Sequence, residues 1–386
     1  MRALYSKEQQ KSTDSVSGKL VVLTILSALM SAFFTQQSFS AGQIVTDTIV
    51  SAALKGNKLG DPDTRNMTIY LPPSYAVSGK NYPVIYLLHG FGGDERSFVD
   101  AVGEKLAILL LDTAIGAGTI KEIIIVMPDA KNKYGGSYYL NSKLTGNYED
   151  YIVNEIVSYI DNKYRTIRDR NGWAIAGASM GGYGSITLAM KHPDVFSAVA
   201  SMSPPLGFDI IAEAMIPEVI KQNPDGMSGP SKDPDKEYTN YMYALSAALS
   251  PNLNNPPFFV DLPFEYPTGK IIEPIRQLWL KADPLTMLSV YSPSLLKLKG
   301  IYIDVGDKDL PGFTAAAEAF HQKLLSMGIK HEYNLFQGGH GDNAVERAVS
   351  SIGFLSDLLP EPEFPSAVRF KDRLTVTWGM VKTHKY

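Results

Sequence analysis

Residues Trp173–Met190 have the sequence WAIAGASMGGYGSITLAM, in which two apolar runs flank a turn of small residues. The first run, Trp173–Ala176, is continuously apolar, as in a strand buried on both faces. The second, Tyr183–Met190, has the composition of a helix. Between them, GASMG (177–181) matches the pattern G-x-S-x-G. This order predicts a sharp turn that raises the Ser179 hydroxyl above the end of the strand. The alternative is a structural turn whose serine only caps the helix.

Strand-like and helix-like segments alternate along most of the chain, which predicts an α/β protein with a mostly parallel central sheet. An antiparallel opening pair is expected at Gln43–Ser51 and Asn66–Leu71. Further strands are expected at Pro83–Leu88, Glu122–Met127, Trp173–Gly177, Ser197–Ser201, Gly300–Val305 and His331–Phe336. Helices are expected at Ala101–Ile115, Tyr148–Arg165, Met180–Lys191, Gly312–Met327 and Asn343–Leu358.

Residues 204–299 interrupt this alternation, because prolines recur there and no strand is convincing. Two short helical pieces are expected, near Asp209–Lys221 and Tyr238–Ala248. A long insert with little structure of its own usually has a function, so we expect an inserted cap or lid over the site. The remaining C-terminal extension, 360–386, contains one strand candidate, Leu374–Trp378. Residues 41–386 are thus expected to form one catalytic domain.

The first forty residues have the pattern of a secretory signal peptide. An apolar run, Leu20–Phe34, follows four basic residues, and small residues lead to a cleavage site after Ser40. This run is shorter than the roughly 20 residues of a membrane span. We expect a secreted or periplasmic protein with no stable membrane span once the signal is removed; the alternative is an uncleaved N-terminal anchor.

Composition excludes several kinds of chemistry. The chain has 36 Lys and Arg against 40 Asp and Glu and contains no basic run, which argues against nucleic acid as a partner. It has 0 cysteines, so disulfides, thiolate metal sites and thiol nucleophiles are excluded. Two acidic segments, Asp61–Asp63 and Asp233–Glu237, lack the spacing of a calcium loop. We therefore expect neither a metal nor a cofactor.

A serine nucleophile needs a base near it in space. His340 lies in a glycine-rich loop directly after the last expected strand, which is where hydrolases of this strand-first type carry the base. His192, His321 and His331 have simpler structural explanations, and His89 is expected to brace a loop. The acid that orients the base is expected after strand Gly300–Val305. There Asp309 is favoured over Asp307 because it projects farther toward the histidine loop.

Two backbone N–H groups are candidates for stabilising an oxyanion. One belongs to Met180, directly after the proposed nucleophile. The other belongs to Phe91, in the loop HGFGG (89–93) after an apolar strand. The glycines of this loop keep side chains away from the donor. The alternative is a simple tight turn between a strand and a helix.

These segments together resemble the putative-esterase family of α/β-hydrolases. The resemblance rests on LLHGFGGDE (87–95), GSYYLNS (136–142), YEDY (148–151), the serine motif, and the loops 306–309 and 338–340. That family includes esterase D, feruloyl and acetyl-xylan esterases, and mycolyltransferases. The resemblance implies an α/β-hydrolase fold and metal-free serine ester hydrolysis. It assigns the triad to Ser179, Asp309 and His340, and the oxyanion donors to Phe91 and Met180.

The sequence therefore predicts a secreted carboxylic-ester hydrolase. Its substrate would be a small-molecule or polysaccharide-linked ester of an acyl, feruloyl or acetylated-sugar type. One alternative is an acyltransferase that moves the acyl group to a sugar or lipid alcohol. Another is a noncatalytic binding protein on a hydrolase scaffold, and peptidase activity is a further possibility. No individual substrate-binding residue can be assigned from the sequence, although the apolar insert is expected to supply a pocket wall.

Overall fold

An eight-stranded sheet forms the centre of the fold. The structure is a computed structural model that describes residues 41–231 and 233–365; the expected signal peptide and the strand candidate Leu374–Trp378 lie outside these ranges. In chain order the strands are β1 Gln43–Val50, β2 Thr64–Leu71, β3 Val84–Leu88, β4 Ile124–Pro128, β5 Trp173–Ala178, β6 Ala198–Met202, β7 Gly300–Gly306 and β8 Glu332–Phe336.

The strand order across the sheet is β1-β2-β4-β3-β5-β6-β7-β8. Strand β1 pairs antiparallel with β2, and β2 pairs antiparallel with β4. All the other pairs in this sheet are parallel. The prediction of a mostly parallel α/β sheet is confirmed, including the antiparallel opening pair.

Alternate residues of the central strands belong to two separate apolar cores. In β3, Val84, Tyr86 and Leu88 pack on one face, and Ile85 and Leu87 pack on the other. All five residues are buried. Because side chains alternate across a strand, burial on both faces requires a continuous apolar run, which explains the composition of this segment.

Helices cover both faces of the sheet. The core on one face includes side chains from the helices over residues 148–163, 180–191 and 313–326, and the core on the other face includes side chains from the helix over 344–358. In chain order the helices are α1 Ser97–Asp100, α2 Glu104–Gly116, α3 (Tyr148–Asp150 and Val157–Lys163, joined by the π-helical segment Tyr151–Ile156), α4 Met180–Lys191, α5 Phe208–Gln222, α6 Glu237–Leu249, α7 Glu273–Leu280, α8 Pro284–Leu295, α9 Phe313–Ser326 and α10 Ala344–Leu358.

The interval 204–299 contains more structure than the sequence suggested. Helices α5 and α6 occur where short helical pieces were expected. Helices α7 and α8, and a two-stranded pair formed by Phe264–Glu265 and Lys270–Ile271, were not predicted. Their prolines explain the omission: Pro274 and Pro284 occupy the first turns of α7 and α8, where a missing N–H costs no helical hydrogen bond.

Side chains of this interval belong to the main core of the domain. Phe208, Met215, Met242, Trp279 and Leu288 are all buried in the larger apolar core together with residues of β3 and α4. The interval is therefore packed into the fold along much of its length. Among residues 41–231 and 233–365, no helix is long and apolar enough to cross a membrane.

Candidate active site

Ser179 occupies a strained turn between β5 and α4. Its φ is +57° and its ψ is −117°, a backbone conformation that a residue with a side chain rarely adopts. The N–H of Ser179 donates to the Met202 carbonyl at 2.8 Å, which ties the turn to the end of β6. These features match the turn predicted from the G-x-S-x-G pattern.

The two glycines of the motif are required by close backbone contacts. A Cβ at Gly177 would overlap the backbone of Gly181, and a Cβ at Gly181 would overlap the Leu88 and His89 carbonyls. Since overlap with backbone cannot be relieved by rotating a side chain, any larger residue would separate the turn from β3.

The loop after β3 lies against Ser179. A Cβ built on Gly90 would be 3.5 Å from the Cβ of Ser179, so the loop approaches the proposed nucleophile closely. The N–H groups of Phe91 and Met180 make no hydrogen bond to another residue within the described ranges. Both are therefore available as hydrogen-bond donors beside the serine.

The side chain of His89 holds this loop in place by two hydrogen bonds. Its Nε2 accepts the Ala130 N–H at 2.9 Å, so its Nδ1 carries the proton and donates to the Gly90 carbonyl at 2.8 Å. Fixing the Gly90 carbonyl fixes the peptide plane that also contains the Phe91 N–H. Burial lowers the pKa of His89, which favours the neutral ring that this pattern requires. The expectation that His89 braces the loop agrees with these contacts.

His340 and Asp309 lie together at the ends of β8 and β7. The Nδ1–H of His340 donates to Oδ1 of Asp309 at 2.5 Å, and the Asp309 side chain is fully buried. This bond leaves Nε2 of His340 as the nitrogen able to accept a proton. Burial tends to raise the pKa of Asp309, but the hydrogen bond and charge of His340 outweigh it, so its pKa lies below the ordinary value.

Asp307 has a different role from Asp309. Its Oδ1 accepts the Gly338 N–H at 2.9 Å, and its own N–H donates to the Phe336 carbonyl at 2.8 Å. These bonds join the loop after β7 to the loop after β8. Asp307 is exposed, and the hydrogen bond of the His340 ring goes to Asp309 instead. The geometry thus favours Asp309 as the partner of the histidine.

Hydrogen bonds connect the serine turn to the acid and base across neighbouring strands. Ser179 is bonded to Met202, and the next residue, Ser203, donates its N–H to the Asp304 carbonyl of β7 at 2.8 Å. The Ser203 hydroxyl faces the Asp309 carboxylate and contributes to lowering its pKa. Because the strands are parallel, Ser179, Asp309 and His340 all project from the same edge of the sheet.

Four residues of this region were not singled out as site residues from the sequence. The ring edge of Phe313 meets His340 at a centroid distance of 5.4 Å, and Tyr241 contacts Phe91 at 4.6 Å. Tyr138 and Ser203 both have positive φ, at +51° and +44°. Tyr138 carried a signal through the segment GSYYLNS (136–142), and Tyr241 through the apolar insert expected to supply a pocket wall. Phe313 and Ser203 depend on tertiary contacts. Within the described residues, no cluster of three or more His, Cys, Asp or Glu side chains could hold a metal.

The strand order and the serine turn define an α/β-hydrolase. Solved structures support this fold. A ferulic acid esterase superposes with a TM-score of 0.59 at 22% identity, covering 83% of this chain and 99% of that one. An S-formylglutathione hydrolase from Agrobacterium tumefaciens has a TM-score of 0.54 at 15% identity, covering 85% and 99%. At such identities the likeness concerns the fold.

Within that fold class the chain belongs to the family described as "Putative esterase", whose model matches residues 62–346. An esterase of Mycobacterium tuberculosis is 36% identical over 145 residues, which are 36% of this chain and 29% of that protein. An endo-1,4-beta-xylanase/feruloyl esterase of Xylanibacter ruminicola is 31% identical over 176 residues, or 42% and 23%. The chain thus matches less than a third of the length of either relative.

The two aspartates of the β7 loop give a direct test of the site. Asp309→Asn should lower kcat by about 10²- to 10⁴-fold, because the amide cannot stabilise the charged imidazole. Asp307→Asn keeps an oxygen able to accept the Gly338 N–H and should change kcat less than about threefold. Steady-state kinetics on a 4-nitrophenyl ester would compare them, and the reverse order of effects would exclude Asp309 as the orienting acid.

The neutral state of His89 gives a test based on pH. Its pKa in the folded chain is lowered, so below about pH 6.5 the unfolded chain binds a proton that the folded chain resists. This group's contribution to the unfolding free energy is present above that pH and is lost as the pH falls. His89→Gln should remove this contribution and also lower kcat/KM. Denaturant unfolding between about pH 5 and 8 would measure the unfolding free energy, and hydrolysis of a 4-nitrophenyl ester would measure kcat/KM.

His331→Gln is the matched control for His89. Burial also lowers the pKa of His331, but this residue pairs with His321 away from the serine turn. The control should therefore change the pH dependence of stability and leave kcat/KM within about twofold of wild type. An equal loss of kcat/KM in both variants would exclude a specific role for His89 in the oxyanion loop.

Proposed function

We propose that the protein is a serine carboxylic-ester hydrolase that works through an acyl-enzyme on Ser179. The observation that carries this proposal is the His340–Asp309 hydrogen bond at the sheet edge where Ser179 occupies its strained turn. Membership of an esterase family supports the same reaction class. A buried acid, an oriented imidazole and a raised serine are the three parts that nucleophilic acyl transfer needs.

Each proposed step follows from this arrangement. Nε2 of His340 takes the proton of Ser179 as Oγ bonds to the ester carbonyl carbon. The negative oxygen that forms is stabilised by the N–H groups of Phe91 and Met180. The carbon–oxygen bond to the alcohol then breaks, and His340 gives its proton to the leaving alkoxide. Water repeats the sequence on the acyl-enzyme, releasing the acid and restoring Ser179.

The nucleophile can be tested by labelling. A fluorophosphonate should modify Ser179 once per chain, because the oriented base activates only this hydroxyl. Ser179→Ala should lose the label and roughly 10³-fold or more in kcat. Intact-mass and peptide mass spectrometry, combined with ester hydrolysis, would measure both effects.

Ser203→Ala is the matched control, since Ser203 is a second buried serine at the same sheet edge. It should keep the label on Ser179. Labelling of Ser203 in the wild-type protein, or full activity of Ser179→Ala, would overturn the proposed nucleophile.

The insert borders the proposed machinery through Tyr241 of α6, which contacts Phe91. Phe313, the first residue of α9 and outside the insert, contacts His340. Tyr241 and Phe313 line one small cavity of about 30 Å³, whose other walls are mostly apolar side chains. These walls include Phe208, Met215, Met242, Leu245 and Trp279 of the insert. Such a cavity has room for one or two small groups of a substrate.

Tyr138 is the polar member of this cavity wall. The residue is 6% exposed, and its hydroxyl makes no hydrogen bond with any described residue. The positive φ of Tyr138 adds backbone strain. The hydroxyl would be satisfied by a polar substituent on an acyl group that ends in the cavity.

These features favour an aromatic acyl ester with a polar ring substituent, of the feruloyl type, as substrate. The names of the Xylanibacter relative and of the ferulic acid esterase agree with this class. With residues 1–40 acting as a secretory signal, the enzyme would meet such esters outside the cytoplasm or in the periplasm, including esters linked to polysaccharide. The insert would thereby select the acyl group.

Tyr138→Phe tests this choice by removing a single oxygen. Wild type should hydrolyse methyl ferulate faster than methyl cinnamate by about three- to tenfold in kcat/KM, the value of one neutral hydrogen bond. The variant should lose that preference through slower hydrolysis of the ferulate alone. Tyr183→Phe is the matched control, because the Tyr183 hydroxyl already donates to the Ala282 carbonyl at 2.7 Å. An unchanged preference in Tyr138→Phe would exclude this role.

A further inference from the structure

Arg347, on the first turn of α10, is a buried cation that contacts three parts of the candidate site. Its side chain is 8% exposed. Nη2 donates to Oδ1 of Asp304 at 2.6 Å and to Oγ of Ser203 at 2.7 Å. Nη1 donates to the backbone carbonyl of His340 at 3.2 Å. The guanidinium also lies over the Phe336 ring, 4.2 Å from its centroid.

The partner of this cation, Asp304, is completely buried within β7. One oxygen accepts from Arg347 and from the Ser203 N–H at 3.1 Å. The other accepts from Nε of Arg347 and from the Tyr302 hydroxyl, both at 3.2 Å. The carboxylate is therefore saturated with donors and has no free position from which to contact a substrate.

A buried ion pair of this kind is weak evidence for stability. The cost of removing both charges from water offsets much of their attraction, and apolar residues of the same volume often serve equally well. In this position the pair fixes the orientation of the groups around it, because the planar guanidinium binds Asp304, Ser203 and His340 in one fixed plane. An apolar substitute could not bind the hydroxyl or the carbonyl.

We propose that Arg347, held by Asp304, is a positioning residue that fixes the base and the Ser203 turn beside it. It sets His340 by binding its backbone carbonyl. It sets Ser203 by donating to its hydroxyl oxygen. This inference rests on the proposed function, because it assigns Arg347 a role in the same serine hydrolysis.

Ser203 is held in a strained backbone conformation, which agrees with its being fixed by the ion pair. Ser203 has a φ of +44° and is 1% exposed, and its N–H is shared between the backbone carbonyl and Oδ1 of Asp304. Such a conformation persists only where the surroundings enforce it. The ion pair supplies that enforcement from both sides, because Asp304 holds the N–H of Ser203 and Arg347 holds its hydroxyl.

Arg347→Lys is the principal test. The ammonium keeps the charge beside Asp304 but cannot bind Ser203 and the His340 carbonyl in one plane. We expect kcat per active site to fall by about 10- to 100-fold, since small displacements of catalytic groups have effects of this size. KM for a 4-nitrophenyl ester should stay within about twofold, because Arg347 does not line the substrate cavity.

Active sites should be counted with a fluorophosphonate before turnover is measured. This count separates misfolding, which lowers the number of sites, from mispositioning, which lowers kcat at each site. If Arg347→Lys does not fold, Ser203→Ala tests the same contact and should lower kcat per site by several-fold, because it removes the hydroxyl that Arg347 binds.

Arg165→Lys is the matched control. Arg165 likewise donates to backbone carbonyls, those of Tyr75 and Lys80, and lies 4.0 Å from the centroid of the Tyr75 ring, but it is remote from Ser179 and His340. Its kcat per site should remain within about twofold of wild type. Equal kcat per site in Arg347→Lys and wild type would overturn the inference. Absence of label on Ser179 in the wild-type protein would instead overturn the proposed function.

Discussion

The contact between the backbone of the serine turn and the end of β3 is the constraint on which the rest of the site depends. Gly181 lies against the Leu88 and His89 carbonyls with no room for a Cβ, and Gly177 lies against Gly181. This contact brings the start of α4 beside the loop of Gly90 and Phe91, so that one turn supplies the nucleophile and the next loop supplies a donor. Without it, the Phe91 and Met180 N–H groups would not flank the same point.

The parts of the fold and the candidate site that could be predicted are those set by residues close together in the sequence. The strand and helix around Ser179 are neighbours in sequence, and α4 begins and ends where the pattern predicted. The loop positions of His340 and Asp309 followed from the ends of β8 and β7. The choice between Asp309 and Asp307 was less certain from sequence, because only the fold makes one buried and leaves the other exposed.

The insert and the network behind the site depended on information that is not local. Helices α7 and α8 have a proline in the first turn, and proline in a sequence is more often a sign of a loop. Asp304 lies within a buried strand, where nothing in the local sequence distinguishes its carboxylate from a core residue. Its pairing with Arg347 joins residues from β7 and α10 and has no signature in the spacing of either segment.

His340 follows directly after a weakly buried edge strand of the sheet. Strand β8 forms an edge, none of its residues is fully buried, and Leu335 is 51% exposed. Strands of this kind open locally at a lower free energy than the interior of a domain. On warming, hydrolytic competence would therefore disappear while the bulk of the sheet is still intact. Thermal inactivation and global melting should be two separate events, with the temperature of the first governed by the attachment of β8.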